Sequence, residues 1–404
     1  MRIAQINISS YGSTGKIMLQ IAQEARTQGH DVLTFSRKWW RNKEIEGHQY
    51  FGLPLEHALH HATGYITGDE GYGSVISTAM LIRKLKKFRP DVLLLHNLHG
   101  WYICLPMLFD YIRREGIRTV WTFHDCWPFT GHCPYFDFVK CDRWKEECGN
   151  CPSFRNYPAS LFDNSRKMLS RKKKWFTGIR DMQIICPSEW LADLVSMSYL
   201  NAYPVSVIHN GIDLSVFKYR DSDIRARYSR ITDSEKVVMG VAFDWEKRKG
   251  LDVFLSLREM LGDGYRIVLV GTDEKTDELL PDDIISIHRT ENQEELAELY
   301  SAADVFVNPT REDNYPTVNM EAIACGTPVA TFRTGGSPES VPQSCGIVVG
   351  KDDTESLAEA VIKLCENREG FRNSCIRYAV NFSSSEMTSR YLDVLIKDGG
   401  KKRH

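Results

Sequence analysis

Three acidic side chains close to one helix start are the feature of this sequence most able to do chemistry. In the stretch Pro309-Thr-Arg-Glu-Asp-Asn-Tyr-Pro-Thr-Val-Asn-Met-Glu-Ala-Ile-Ala-Cys-Gly-Thr-Pro-Val-Ala-Thr331, Glu312 and Asp313 precede Pro316 and Glu321 follows it. Proline suits the first turn of a helix, where its missing N–H would have no partner anyway. Gly326 with Thr327-Pro328 stops that helix. The N–H groups of Thr317 and Val318 then stand at a helix start, which is a seat for phosphate. Glu321 falls about one turn inside, on the side of Val318, Ala322 and Cys325. Two carboxylates beside an anion-binding helix end suit a nucleotide-sugar.

Such a loop needs a strand to deliver it and another to leave by. Asp304-Val-Phe-Val-Asn-Pro309 reads as the first and Pro328-Val-Ala-Thr-Phe332 as the second. Short β-branched runs alternate with helical stretches along the whole chain, the pattern of parallel α/β sheets. The first half offers strands at Ile3–Ile8, Val32–Phe35, Val92–His96, Thr119–Phe123 and Gln183–Cys186. The second offers Val237–Ala242, Ile267–Val270, Ile284–His288, Val305–Asn308, Val329–Phe332 and Ile347–Val349. Two sets predict two Rossmann-like domains, not one very wide sheet. The expected domains are 1–204 and 205–380, followed by 381–404 as a last helix and a solvated tail, Lys401-Lys-Arg-His404.

Length and composition agree with this reading. A chain of 404 residues, 42% hydrophobic and 26% charged, has room for two or three soluble domains. The net charge of −2 hides an asymmetry: residues 1–210 carry 26 Lys and Arg against 19 Asp and Glu. A basic first half suits an anionic membrane surface or a lipid-phosphate acceptor. It is too mild for nucleic acid. No apolar run reaches the roughly 18 residues that span a bilayer, and Met1–Ile8 reads as a strand, not as a signal peptide. A cytoplasmic location, where disulfides are rare, is expected for the 11 cysteines.

Asp313-x7-Glu321 resembles the acidic pair of the retaining glycosyltransferases of family 4. Ala322-Ile-Ala-Cys-Gly-Thr-Pro-Val329 and Gly335-Gly336-x-Pro-Glu339 resemble the segment that follows it in that family. The resemblance implies the GT-B fold: two Rossmann-like domains facing across a cleft, with the C-terminal helix (Glu386–Ile396) crossing back to the first domain. The family usually has Glu at the first acidic position; here that register gives Asp313, with Glu312 beside it, and either can serve. Thr122-x-His124-Asp125 resembles the motif whose His contacts the donor sugar. Ser9-Ser-Tyr-Gly-Ser-Thr-Gly-Lys16 resembles the glycine loop set against donor phosphates and acceptor, which makes Gly12 and Gly15 binding residues. Gly240–Gly250 stands at the family's phosphate-binding turn and supplies Lys249, but the family's Arg is Asp244 here, and Arg248 is the candidate replacement. Asn210-Gly-Ile-Asp213 resembles the entry to the second domain.

The implied function is transfer of a sugar from a UDP- or GDP-sugar to a glycan or lipid-linked acceptor in surface polysaccharide biosynthesis. The expected site comprises His124, Asp313, Glu312 and Glu321, with Gly12, Gly15, Arg248, Lys249, Thr317 and Val318 holding the donor. No Asp-x-Asp motif follows a strand in the expected place, so no catalytic metal or other cofactor is expected. A non-catalytic GT-B partner subunit and a GT-B sugar-nucleotide epimerase are the alternatives.

Three further features belong to the first half. His96 and His99 follow a strand and suit either acceptor binding or packing. Arg37-Lys-Trp-Trp-Arg41, Arg83-Lys-Leu-Lys-Lys-Phe-Arg89 and Arg171-Lys-Lys-Lys-Trp-Phe176 mix bases with aromatics, which suits peripheral contact with a membrane. An insertion at 126–152 carries Cys133, Cys141, Cys148 and Cys151, spaced C-x7-C-x6-C-x2-C. Its last pair has the knuckle spacing of a zinc site, with His132 or Cys126 as substitute ligands. Free buried thiols, or disulfides in an oxidising compartment, compete with a structural zinc.

Overall fold

The computed structural model describes residues 1–39, 42, 44–221, 232 and 234–396. Trp40 and Arg41 of the first basic cluster and the tail 401–404 lie outside the described residues. The chain forms two compact units, Met1–His209 with the segment from Thr388, and Asn210–Met387.

The first unit is built on β1 (Arg2–Ile6), β2 (Asp31–Arg37), β3 (His48–Phe51), β4 (Val92–Leu95), β5 (Arg118–Thr122), β6 (Met182–Cys186) and β7 (Val205–Val207). Every pairing is parallel, in the order β3-β2-β1-β4-β5-β6-β7. Parallel sheets are covered on both faces, so β4 reads Val-Leu-Leu-Leu without alternation and is buried throughout. The helix Gly12–Thr27 covers β1 and β2 with Ile17, Met18, Ile21, Ala22 and Ala25, the one-face spacing of an amphipathic helix. The helix Ser384–Ile396 buries Met387, Tyr391, Leu392 and Leu395. Arg118 on β5 donates to the Val394 carbonyl at 2.7 Å, near the helix C-terminus where acceptors are otherwise unpaired. Arg390 donates to Val207 on β7 at 2.8 Å.

The second unit contains β8 (Lys236–Val241), β9 (Tyr265–Val270), β10 (Ile285–Ile287), β11 (Val305–Asn308), β12 (Val329–Phe332) and β13 (Gly346–Val349). They pair in the order β10-β9-β8-β11-β12-β13, again all parallel. Alternate residues feed two cores: Val237, Met239 and Phe306 enter one, Val238, Val305 and Val307 the other. In each sheet the strand order reverses beside the first strand, between β1 and β4 and between β8 and β11. Ligands bind outside the carboxyl ends of strands at such a switch point.

Two expectations are corrected here. Val205–Val207, expected to open the second domain, pairs with β6 as the edge of the first sheet. The cluster Arg171–Phe176 is a surface patch only in part: Lys173 and Lys174 are exposed, while Lys172, Trp175 and Phe176 are buried. Its helix turns these side chains inward, and Arg171 pairs with Asp69 and lies over the Tyr72 ring. Exposed apolar side chains occur elsewhere in this unit. Leu55, Leu59 and Ile66 protrude from the helix Pro54–Thr67, and Ile76 and Met80 from the helix Val75–Phe88, which also exposes Arg83, Lys86 and Lys87. Among the described residues no helix is long and apolar enough to cross a membrane.

Candidate active site

In the second unit, β11 ends at Asn308 and the chain loops into the helix Thr317–Ala324. Pro316 is the residue before the first turn, with ψ 119°, and no side chain caps that turn. Asn319 fixes where the helix points. This wholly buried side chain accepts from Asn308 Nδ2 at 2.8 Å and donates to Ser337 and Ser340 at 3.1 and 3.0 Å. A buried polar network with its members paired specifies one arrangement. It ties the helix to the end of β11 and to the turn Ser337–Ser340.

The loop before the helix meets the turn after β8. Lys249 Nζ lies 2.7 Å from Asp313 Oδ2, with both side chains about one-fifth exposed. Arg248 donates to the Glu312 carbonyl at 3.3 Å, and the Arg311 amide donates to the Arg248 carbonyl at 2.9 Å. The Glu312 residue is buried, whereas Asp313 is not. Asp244, in the place of the family's Arg, is exposed. Gly335 has φ +53°, and a Cβ there would stand 1.9 Å from the Asp313 carbonyl oxygen. Only glycine fits at position 335. One turn into the helix, Glu321 accepts from the Tyr300 hydroxyl at 3.2 Å, and Tyr300 is wholly buried.

The first unit carries its own cradle. Gly12 opens its helix at φ +72°, and a Cβ on Gly15 would meet the Ser10 backbone at 2.6 Å. Buried Asn7 at the end of β1 donates to Ser9 and Thr14 and accepts from the Asn97 amide, which ties this loop to the end of β4. His124 Nε2 lies 3.1 Å from His96 Nδ1, and His96 Nε2 lies 3.1 Å from Gln5 Oε1. An amide oxygen only accepts, so His96 carries its proton on Nε2 and His124 donates to it. Burial lowers the pKa of His124 to about 4 and that of His96 well below the ordinary value, so both rings are neutral at pH 7.

Asp125 turns the other way. It lies 2.9 Å from His99 Nε2, and His99 Nδ1 lies 2.9 Å from the Tyr157 hydroxyl. Burial pulls the His99 pKa down, but the charge and hydrogen bond of Asp125, with the charge of Glu70, together outweigh it and the net shift is upward. His99 and Asp125 form a buried hydrogen-bonded pair. Glu70 closes this network, accepting from the Gly100 amide at 2.6 Å and from Trp127 Nε1 at 2.8 Å.

The structure thus gathers Arg248, Lys249, Glu312 and Asp313 in the second unit, with Thr317, Val318 and Glu321 on the helix that follows. In the first unit it sets Gly12 and Gly15 after β1 and His124 after β5. Cys133, Cys141, Cys148 and Cys151 line one small cavity, and all are unpaired thiols. Asn319, Tyr300, Asn7 and Glu70 escaped the reading of the sequence. A lone Asn between Val318 and Met320, inside an otherwise apolar helix, was the available signal for Asn319.

Two doubly wound parallel sheets, the second with the turn after β8 and the loop after β11 meeting at its switch point, define the GT-B fold. Residues 14–216, just over half of the chain, match Glycosyltransferase Family 4, and residues 235–367 match glycosyl transferases group 1. The chain belongs to glycosyltransferase family 4. It is 25% identical over 383 residues to the putative colanic acid biosynthesis glycosyl transferase WcaC of Escherichia coli, spanning 89% of this chain and 90% of that one. Its fold is similar to sucrose-phosphate synthase from Thermosynechococcus elongatus, with TM-score 0.70 and 18% identity over 98% of both chains. It is also similar to Anabaena HepE in complex with UDP-glucose, with TM-score 0.67 and 14% identity over 98% of this chain and 100% of that one.

Proposed function

We propose that this glycosyltransferase moves a sugar from a UDP- or GDP-sugar to a glycan or lipid-linked acceptor, with retention of configuration, in surface polysaccharide assembly. The observation that carries this reading is the Lys249–Asp313 pair, set at the ends of β8 and β11 just before an uncapped helix start. A compact ammonium with three donors can hold Asp313 and a diphosphate oxygen together. As the sugar–phosphate bond breaks, its electron pair leaves with the diphosphate, where Lys249, Arg248 and the amides of Thr317 and Val318 stabilise the charge. The acceptor oxygen attacks from the same face, and a diphosphate oxygen takes its proton. Asp313, the less buried of the two neighbouring acids, fixes the sugar, and Glu321 grips the ribose hydroxyls. Neutral His124, whose one proton goes to His96, brings no positive charge, which suits a group beside an oxocarbenium-like centre.

The names of WcaC and of the HepE complex support a polysaccharide pathway and a UDP-linked donor. The exposed apolar and basic side chains on the helices Pro54–Thr67 and Val75–Phe88 support peripheral contact with an anionic membrane from the cytoplasmic side. The test is purified protein with a panel of nucleotide-sugars and candidate acceptors. Nucleotide released only when acceptor is present supports the reading. Acceptor-independent isomerisation of the donor, or failure to bind any nucleotide, overturns it.

A further inference from the structure

We propose that Cys133, Cys141, Cys148 and Cys151 hold one structural zinc ion that staples the loop following His124-Asp125. This loop runs from the end of β5 to the helix Ser165–Phe176 with only two short 3-10 turns, Trp127–Phe129 and Arg143–Lys145. Loops of this length without regular structure are uncommon inside compact domains. The hydrogen bonds of regular elements cannot hold it. Its rings join the edge of the first unit's core, with Trp144 packed 5.1 Å from Phe129 and 5.0 Å from Phe136.

The four cysteines, distant in a loop without regular geometry, nevertheless come to one cavity of about 10 Å³, next to His132, Phe136 and Trp144. That volume is about the room needed for one water-sized occupant. Cys148 and Cys151 are joined by a turn with φ +144° at Gly149 and +47° at Asn150, which brings both side chains to one side. Arg143 locks the turn by donating to the carbonyls of Gly149 and Asn150 at 2.5 and 2.8 Å. The Gly131 amide donates to Cys148 Sγ at 3.3 Å, and the Cys151 amide donates to Asp163 at 2.8 Å. Amide bonds of this kind orient thiolate ligands from the outer shell.

Charge fits as well. Four thiolates around Zn²⁺ carry a net charge of −2, and Lys172, a wholly buried basic side chain, reaches into the same loop. It donates to the carbonyls of Trp127 and Thr130, at 2.9 and 3.1 Å. Among the described residues no three His, Cys, Asp or Glu side chains already surround a metal position. Binding therefore draws the thiols inward from the cavity wall by side-chain rotation. Four thiolates leave no open coordination position, so the role is structural and independent of the transfer chemistry.

The experiment is elemental analysis of the full chain purified without added metal. About one zinc per chain is expected, falling more than fivefold in Cys148→Ser/Cys151→Ser and unchanged in Cys104→Ser. Should the double variant not fold, wild-type protein decides. Mercurial titration of its thiols should release the zinc in step with the last four to react, and cobalt exchanged into the site should show the absorption of tetrahedral thiolate coordination. Metal-free folded protein with freely titratable thiols overturns the proposal. So does a mass showing a disulfide among these four cysteines.

Discussion

Lys249 and Asp313, 64 residues apart in the chain, meet at 2.7 Å between the turn after β8 and the loop after β11. Each is the other's nearest opposite charge there, and both belong to the proposed donor site. Lys249→Ala should lower kcat by about 10²–10³, the usual effect of deleting one preorganised charge-stabilising group. Asp313→Ala should lose most turnover while the melting temperature stays near wild type. Glu312→Ala should instead lower the melting temperature, because that residue is buried. Mild, equal effects of the two acid replacements on turnover would remove both from the mechanism.

Glu321 and Tyr300 separate binding from stability. Glu321→Ala should weaken nucleotide binding and leave the buried Tyr300 hydroxyl without this acceptor, at about 1–3 kcal/mol of stability. Adding Tyr300→Phe should recover most of the stability and none of the binding. Calorimetry of the two variants checks this, and recovery of binding in the double variant would assign Glu321 a structural role only.

Gly335→Ala tests whether the Gly-Gly turn positions Asp313. The new Cβ would overlap the Asp313 carbonyl, at a backbone conformation unfavourable to any other residue. The loop must shift, and kcat should fall at least tenfold in protein that remains folded by circular dichroism. Full activity in the variant would show that Asp313 does not need this turn.

Much of this was legible in the sequence, and the reasons differ by residue. A strand buried on both faces, such as β4, announces itself as an unbroken apolar run. The edge strands β3, His-Gln-Tyr-Phe, and β7, Val-Ser-Val, have one neighbour each and little apolar length, so nothing in their composition marks them. The acids and the phosphate turn were visible as motifs. Their pairing was not, because the Lys249–Asp313 contact depends on which strand ends the sheet order sets side by side. Burial was the other hidden variable: in Arg171–Phe176 helical periodicity sends Lys172 and Trp175 inward against the expectation drawn from their types.

The histidines predict a stability profile with two limbs. Burial lowers His60 to a pKa of about 4, and its Nε2 accepts from the Gly73 amide at 3.2 Å, which requires the neutral ring. The unfolded chain titrates near 6.5, so between about pH 4 and 6.5 it binds protons that the native state does not. Stability rises with pH across that window and is lost on acidification, by up to about 1.4 kcal/mol per pH unit for each such group. His99 acts oppositely: its raised pKa contributes stability below 6.5 that disappears as pH climbs through the folded value. Urea denaturation across this range should show His60→Gln flattening the acid limb and His99→Gln flattening the alkaline one.

Peripheral membrane contact can be checked by sedimentation with vesicles. Leu55 and Ile76 are 68% and 57% exposed, and burying one such side chain in lipid contributes about 1.5 kcal/mol, or roughly tenfold in partitioning. Leu55→Asp/Ile76→Asp should abolish pelleting with anionic vesicles and leave turnover of a soluble acceptor unchanged. Equal pelleting of both proteins would locate the contact elsewhere.

The helix Ser384–Ile396 has a consequence for synthesis. From Thr388 onward it completes the first unit, yet every residue of the second unit is translated before that part. While the ribosome works through that interval, Arg118 and the surface that will receive Tyr391 and Leu395 have emerged without their cover. The first unit therefore waits, unfinished, for residues made after the second, and a nonsense codon just ahead of Thr388 would damage the half of the molecule that was made first.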